Sequence, residues 1–295
     1  MHSFHKVLLA GSLVSSVFST FIPIAQADVN IGIIAPRGEL KAMKRWSEFG
    51  KYLETQLGEK VTLKAYPPRK LVSAAEAREV DFMLSNPTQM VILKEVHGAT
   101  PLATLNKKSG SQFAGVIVAK KGSGINKSED LKGKKVMSLK FRQAAGAYTF
   151  QTYHLHNKGI DPHKDFASIK EGKKQDDLIL AVKAGVIDAA FVRTGILEAM
   201  EKEGKIKMDD FVIVDQNTSD GYPMAHTTVL YPEWYLSSLK DTDAGKTEKL
   251  KMAALNIKSS DKAATTAKIK GFVTPVSLDG MTDALKALKI KPFDK

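Results

Sequence analysis

With 295 residues, 43% of them hydrophobic and 26% charged, the chain has material for two average domains and is not disordered by composition. The absence of cysteine excludes disulfides, thiolate metal sites, a thiol nucleophile and a lipid-modified N-terminal Cys. Forty-four Lys and Arg against 32 Asp and Glu give a formal charge of +12, which favours anionic partners or simply solubility.

Residues 1–27 read as a secretory signal peptide. His2, His5 and Lys6 form a basic start, residues 7–25 are mostly apolar and uncharged, and Ala25-Gln26-Ala27 has the small-x-small pattern of a cleavage site. The competing reading, an N-terminal membrane anchor, fits poorly with Gly11, Ser12, Ser15, Ser16 and Pro23 inside the stretch. Cleavage after Ala27 and a periplasmic mature chain starting at Asp28 are expected.

Beyond this segment, short apolar runs alternate with helical patterns, as in an α/β protein. Residues 29–34 form the first expected strand. A helix follows with Leu40, Met43, Trp46, Leu53 and Leu57 on one stripe and Gly58 as its stop. Strands are expected at 61–66, 80–84, 113–119, 135–139, 187–192, 211–214 and 224–230. Helices are expected at 71–78, from Pro87, and at 144–157, 176–184, 195–203, 233–239, 246–257 and 277–288. Leu71 to Asn86 and Leu180 to Thr194 share a pattern of helix, turn, apolar strand and polar end. A duplicated lobe explains this, and so does the generic repetition of βαβ units. Either way, polar groups arrive at the carboxyl ends of parallel strands, where open α/β sheets bind ligands.

Arginine is the informative residue type. Only six of the 44 basic residues are arginine, and its planar fork binds oxyanions bidentately. Arg37, Arg142 and Arg193 fall at strand-to-helix junctions, the last followed by Thr194. A fourth junction carries Ser85 and Asn86 with Gln89 one turn on. Gly38 and Gly146 allow close backbone approach nearby. Pairing of these arginines with Asp81, Asp188 or Glu198 is the structural alternative. Trp46, Trp234, Tyr148, Tyr153 and Tyr222 are aromatic candidates for a pocket, with Tyr222 the best placed between Gly221 and Pro223 and Trp46 assigned to the core.

Other chemistries find less support. His154 and His156 sit two apart on an expected helix and point away from each other, so no metal site is expected. Ser237-Ser238-Leu239-Lys240 matches Ser-x-x-Lys but lacks the companion motifs, so no catalytic residues are expected. No phosphate-cradling glycine loop is present, so no cofactor is expected. Dispersed lysines on an exported chain argue against nucleic-acid binding.

The segments VNIGIIAPRGE, VDFMLSNPTQ, GVIVAKKGSGINKSEDLKGKKV and AVKAGVIDAAFV resemble the PhnD-like phosphate/phosphite/phosphonate family of periplasmic ABC-transporter binding proteins. VRTG at 192–195 and the tail FVTPVSLDGMTDALKALKIKPF resemble PhnD-like sensor domains of histidine kinases, including tetrathionate sensors. The resemblance implies a type II periplasmic binding protein fold, with two α/β lobes joined by crossovers near 107–115 and 215–224. Lobe 1 is expected at 28–110 plus 220–295 and lobe 2 at 111–219. It also implies a ligand site at the start of a second-lobe helix, where phosphonate binders carry a Ser-Thr-Ser type run. This chain reads Gln143, Ala144, Ala145 and Gly146 there, so backbone donors would stay while the hydroxyls go. Where the family has acidic residues for an amine, the chain has Gly195 and Tyr222. The expectation is a monomeric solute-binding protein for a small oxyanion, serving an ABC permease. A sensor accessory to a two-component kinase is the alternative, and a periplasmic enzyme on the same scaffold is a further one.

Overall fold

A computed structural model describes residues 28–295; the signal peptide expected at 1–27 lies outside the described residues. The chain begins β1 (Val29–Ile34), α1 (Glu39–Leu57), β2 (Val61–Tyr66), α2 (Pro68–Glu76), β3 (Phe82–Ser85), α3 (Pro87–His97) and β4 (Thr100–Asn106). It continues through β5 (Gln112–Phe113), β6 (Gly115–Lys120), β7 (Lys135–Ser138), α4 (Phe150–His156), α5 (Pro162–Asp165), β8 (Ser168–Glu171), α6 (Gln175–Lys183), β9 (Ala189–Arg193), α7 (Ile196–Lys202) and β10 (Phe211–Ile213). It ends with β11 (Tyr231–Pro232), β12 (Tyr235–Ser238), α8 (Ala244–Leu255), α9 (Lys262–Ala267), β13 (Gly271–Val273) and α10 (Asp279–Ala287).

Two sheets result, one in each lobe. The first has the order β13-β4-β12-β3-β1-β2 and takes strands from both ends of the described chain. The second has the order β10-β6-β9-β7-β8. Each is built around a parallel trio, β2-β1-β3 and β8-β7-β9, followed by an antiparallel neighbour. The two sequence segments with a shared pattern, 71–86 and 180–194, end on equivalent strands, β3 and β9. Between the sheets, the two connecting segments pair with each other as an antiparallel ribbon, Tyr231 opposite Phe113 and Pro232 opposite Gln112.

The elements follow their residues. α1 buries Ala42, Trp46, Phe49, Leu53 and Leu57 against the sheet and stops at Gly58, whose φ of 68° suits glycine. Leu40, expected on that stripe, is 86% exposed, because six residues before Trp46 place it about 120° off the buried face. α3 starts where Asn86 accepts the Gln89 amide at 3.0 Å with Pro87 in the first turn.

Two expected elements are corrected. Residues 235–238 form β12, not part of a helix over 233–239; all four are buried between β3 and β4, and that pairing overrides a short helical pattern. Residues 224–230 form no strand. There the Thr228 and Thr227 hydroxyls accept the Gly115 and Ile117 amides, taking the place of a regular ladder beside β6. β4, β8 and β13 were not expected from the sequence.

Candidate functional site

Four parallel strands end at one cavity between the lobes. Ile34 and Pro36 follow β1, Asn86 follows β3, Leu139 follows β7 and Arg193 closes β9. Pro68, Phe113, Gln175, Trp234 and the backbone of Ala144 to Ala147 complete the wall. The cavity measures about 30 Å³. Ala145–Thr149 form one irregular wide turn leading into α4, with Ala147 outside the helical region.

Arg193 is the charged group in this wall. Its backbone amide donates to Gln175 Oε1 at 2.8 Å, which ties the end of β9 to the start of α6. One guanidinium nitrogen, Nη1, donates to the Thr194 carbonyl at 2.8 Å, while Nε is buried without a protein partner. Burial pulls its pKa down. Gly146 makes room for it, since a Cβ there would lie 2.9 Å from the Arg193 Cβ and 2.7 Å from the Phe113 ring.

Two further cations stand behind Trp234. The Arg45 guanidinium lies 4.8 Å from the Trp46 ring centre and 5.9 Å from that of Trp234, and its Nε donates to the Ala267 carbonyl at 2.8 Å. Lys107 lies 5.9 Å from the rings of both Phe113 and Trp234 and pairs with Glu233, whose side chain is 1% exposed. The other Glu233 oxygen accepts the Trp234 amide at 3.3 Å. Burial pushes Lys107 down to about 8, against the pull of Glu233 and with help from Arg193 and Arg45. Burial and the charge of Arg193 push Arg45 down to about 10. Both effects mark cations in a poorly solvated place.

At the cavity mouth, Arg37 takes a different part from the one expected. Its Nε and Nη2 donate to both Asp176 oxygens at 2.8 and 2.6 Å, and Nη2 reaches Glu203 at 3.3 Å. Arg37 belongs to the first lobe and both carboxylates to the second, so this fork joins the lobes. Lys41 at 3.5 Å and Lys205 at 3.3 Å also face Asp176. Burial alone would raise the Asp176 pKa, but the Arg37 hydrogen bonds and charge outweigh it and hold the carboxyl at about 2. The pairing of an arginine with a carboxylate was the structural alternative in the sequence, though with other acids than Asp176 and Glu203. Outside lies a groove of about 580 Å³ that shares Pro68 and Leu139 with the cavity; its charged residues are Arg37, Lys41, Arg69, Lys140, Lys173 and Lys174 with Glu39 and Glu171, the last paired with Lys140 at 3.3 Å.

The structure divides the residues singled out in the sequence. Asn86, Ala144, Ala145, Gly146 and Arg193 line the cavity. Asn86 Nδ2 also donates across the lobes to the Gln143 carbonyl at 3.1 Å. Gln89 is buried below, donating to the Pro68 carbonyl at 2.8 Å, and Ser85 is buried within the sheet. Thr194 is buried beside Ala114, accepting its amide at 3.4 Å. Tyr222 reaches the Gln112 carbonyl at 3.3 Å on the connecting segment. Arg142 is exposed with φ 62°, a left-handed turn that lies outside the cavity wall. Arg45, Lys107, Glu233, Phe113 and Gln175 were not singled out as site residues. Of these only Arg45, as one of six arginines, carried a sequence signal.

Similarity to known proteins follows the same outline. The chain is 30% identical over 233 residues to the tetrathionate sensor histidine kinase TtrS of Salmonella typhimurium, an alignment covering 77% of this chain and 39% of the kinase. It is 27% identical over 184 residues to the arginine-binding extracellular protein ArtP of Bacillus subtilis, covering 59% of this chain and 61% of ArtP. The chain thus spans about two fifths and three fifths of the lengths of these curated relatives. Among solved structures, PhnD1 of Prochlorococcus marinus in complex with methylphosphonate matches with a TM-score of 0.72 and 18% identity, over 89% of this chain and 98% of that one. A binding protein component of a phosphonate ABC transporter from Pseudomonas aeruginosa matches with a TM-score of 0.71 and 18% identity, over 90% of this chain and 85% of that one. These matches show the two-lobed type II periplasmic binding fold. The family model described as "ABC transporter, phosphonate, periplasmic substrate-binding protein" matches residues 31–286, and the chain belongs to that family of binding proteins, which are not enzymes.

Proposed function

We propose that this protein captures a small oxyanion between its lobes and presents it to a membrane partner. The observation that carries this reading is the enclosed cation excess at the cavity: Arg193 in the wall with an unpartnered Nε, and Arg45 and Lys107 behind Trp234, with Glu233 as the carboxylate among them. A space of about 30 Å³ holds one or two waters, so a ligand enters by parting the lobes. The moving units are residues 28–110 plus 220–295 and residues 111–219, turning about the β5–β11 ribbon. Closure brings Arg193 of one lobe towards Arg45 and Lys107, a repulsion that an anion between them reverses. Cleavage after Ala27 would deliver the protein to the periplasm, and N-terminal sequencing of the secreted form should read from Asp28.

The same charges select against an amine. Gly195 and Tyr222 supply no carboxylate, Glu233 is engaged by Lys107, and an ammonium would meet Arg193. Phosphonates without an amine, phosphate, phosphite and sulfur oxyanions all fit this chemistry. The deciding experiment is calorimetric titration of phosphite, phosphate, thiosulfate, tetrathionate, methylphosphonate and 2-aminoethylphosphonate in one buffer. Tightest binding by the aminophosphonate overturns the reading.

The family description favours a permease as partner, while the identity to TtrS favours a sensor kinase. Cross-linking of the liganded protein in membranes distinguishes them by whether the captured protein is a permease or a kinase.

A further inference from the structure

We infer that Gln151 is the positioning residue of this site, locking the wide turn of the cavity wall onto the end of the strand that carries Arg193. The inference rests on the proposed anion capture. Gln151 is the second residue of α4, fully buried, and does not itself line the cavity. Its side-chain Nε2 donates towards three carbonyl oxygens: Val192 at 2.8 Å, Gly146 at 2.9 Å and Val116 at 3.2 Å. An amide nitrogen carries two hydrogens, so the two shorter bonds are the ones made in full. They join the β9 residue before Arg193 to the turn residue whose missing side chain leaves room for Arg193. Gln175 holds the Arg193 amide from α6, so the strand end is tied on two sides.

The chain clears a place for this amide. Gly115 on β6 is the register partner of Arg193. A Cβ on Gly115 would lie 2.7 Å from both Cδ and Nε2 of Gln151, so the amide fills the space where β6 has no side chain. Packing alone would not select glutamine here. Leu155, one turn further along α4, joins an apolar cluster with Ile117 and Phe191 of the same two strands. A Met at 151 would extend that cluster without burying a polar group, whereas Gln151 Oε1 is buried with no donor among the described residues, which costs free energy. Turning the amide over would set Oε1 against the three carbonyl oxygens instead. What the glutamine gains is orientation. In a planar trans peptide the Gly146 carbonyl and the Ala147 amide point opposite ways, so a carbonyl held on Gln151 fixes the Ala147 amide as well. It also keeps the negative end of that carbonyl turned towards Gln151 and away from an anion lying against this backbone.

Gln151→Met keeps the length of the side chain and removes both donor hydrogens. With folding checked by circular dichroism, the variant is titrated calorimetrically with phosphite, phosphate, thiosulfate, tetrathionate and methylphosphonate. Affinity should fall about tenfold below wild type for every anion that binds. A merely structural amide would lower the melting temperature and leave these affinities unchanged. In an Arg193→Gln background the same substitution should cost less than about threefold more, because the locked strand end no longer presents a guanidinium. Gly115→Ala, which keeps Gln151 but crowds its amide, should reproduce the loss, and in a Gln151→Ala background it should cost nothing further. Wild-type affinity in both Gln151→Met and Gly115→Ala, or a Gln151→Met loss undiminished beside Arg193→Gln, overturns the positioning role and leaves anion capture standing. Binding of none of these anions by the wild-type protein overturns both.

Discussion

Breaking the Arg37–Asp176 fork should open the unliganded protein. The fork consists of two charge-assisted bonds of 2.8 and 2.6 Å across the lobes. Such bonds contribute about 1.5–3 kcal/mol each when well shielded. These side chains are 20% and 11% exposed, and Lys41 stays within 3.5 Å of Asp176 after Arg37 is removed. Screening and that substitute reduce the net loss to about 2 kcal/mol, which lowers the closed-to-open ratio roughly 30-fold. Arg37→Ala and Asp176→Asn should therefore each raise the radius of gyration in small-angle scattering without ligand. Apparent affinity should fall by up to the same factor, because ligand must recover the lost closed population. Reversing the pair, Arg37→Asp with Asp176→Arg, should restore part of both. The Asp176 pKa is depressed from 3.8 to about 2, so its stabilisation is fully present above pH 3.8 and lost as pH falls through about 2. Scattering at pH 5 should match scattering at pH 7. Unchanged radius and affinity in both single variants would refute the clasp. If only Arg37→Ala lost affinity and the reversal failed to rescue it, Arg37 would be a ligand contact.

Other outcomes follow from the cavity itself. Arg193→Gln should weaken oxyanion binding ten- to hundredfold by calorimetry, as expected for a charge-assisted contact of about 1.5–3 kcal/mol. Gly146→Ala places a methyl 2.7 Å from Phe113 and 2.9 Å from Arg193; overpacking of about 1–3 kcal/mol should lower the melting temperature and displace Arg193, so that affinity falls too. Because free Lys107 loses its proton near pH 8 while a bound anion favours the charged form, thiosulfate affinity should be fullest below pH 8 and decline above it, with proton uptake on binding seen as a buffer-dependent enthalpy. Lys107→Met should flatten that decline.

The part of the site that sequence reveals is the part built by local order. An apolar run, a turn and a helix start announce the end of a parallel strand, and Asn86, Ala144 to Gly146 and Arg193 reach the cavity wall by that rule. Arg142 obeys the same pattern but itself takes a left-handed conformation, φ 62°, and is exposed, and no periodicity encodes such a turn. Arg37 reaches the right place, yet its fork meets an acid 139 residues away. Lys107 hides among 38 lysines, and Glu233 lies where a helix was expected instead of the approach to β12. Arg45 falls inside a helix whose apolar stripe says nothing of what Trp46 and Trp234 do on its flank. Long-range charge pairing, which decides how these groups act, has no local signature.

Two inter-lobe interactions of opposite sign meet in the closed form. At the mouth, Arg37 draws the second lobe in through Asp176 and Glu203. At the back, Arg45 and Lys107 have pKa values lowered mainly by burial and further by the charge of Arg193. The first works without ligand, and under the proposed function the second reverses when an anion arrives. Strengthening the mouth alone would close the protein on nothing, and strengthening the cations alone would hold it open. A ligand changes the balance by its differential affinity for the closed state. Under the proposed function, the charge it carries into the back of the cleft therefore sets how far closure shifts. A charge-removing substitution at the back should shift the unliganded protein towards closure while weakening its ligand, the opposite conformational effect to breaking the fork at the mouth.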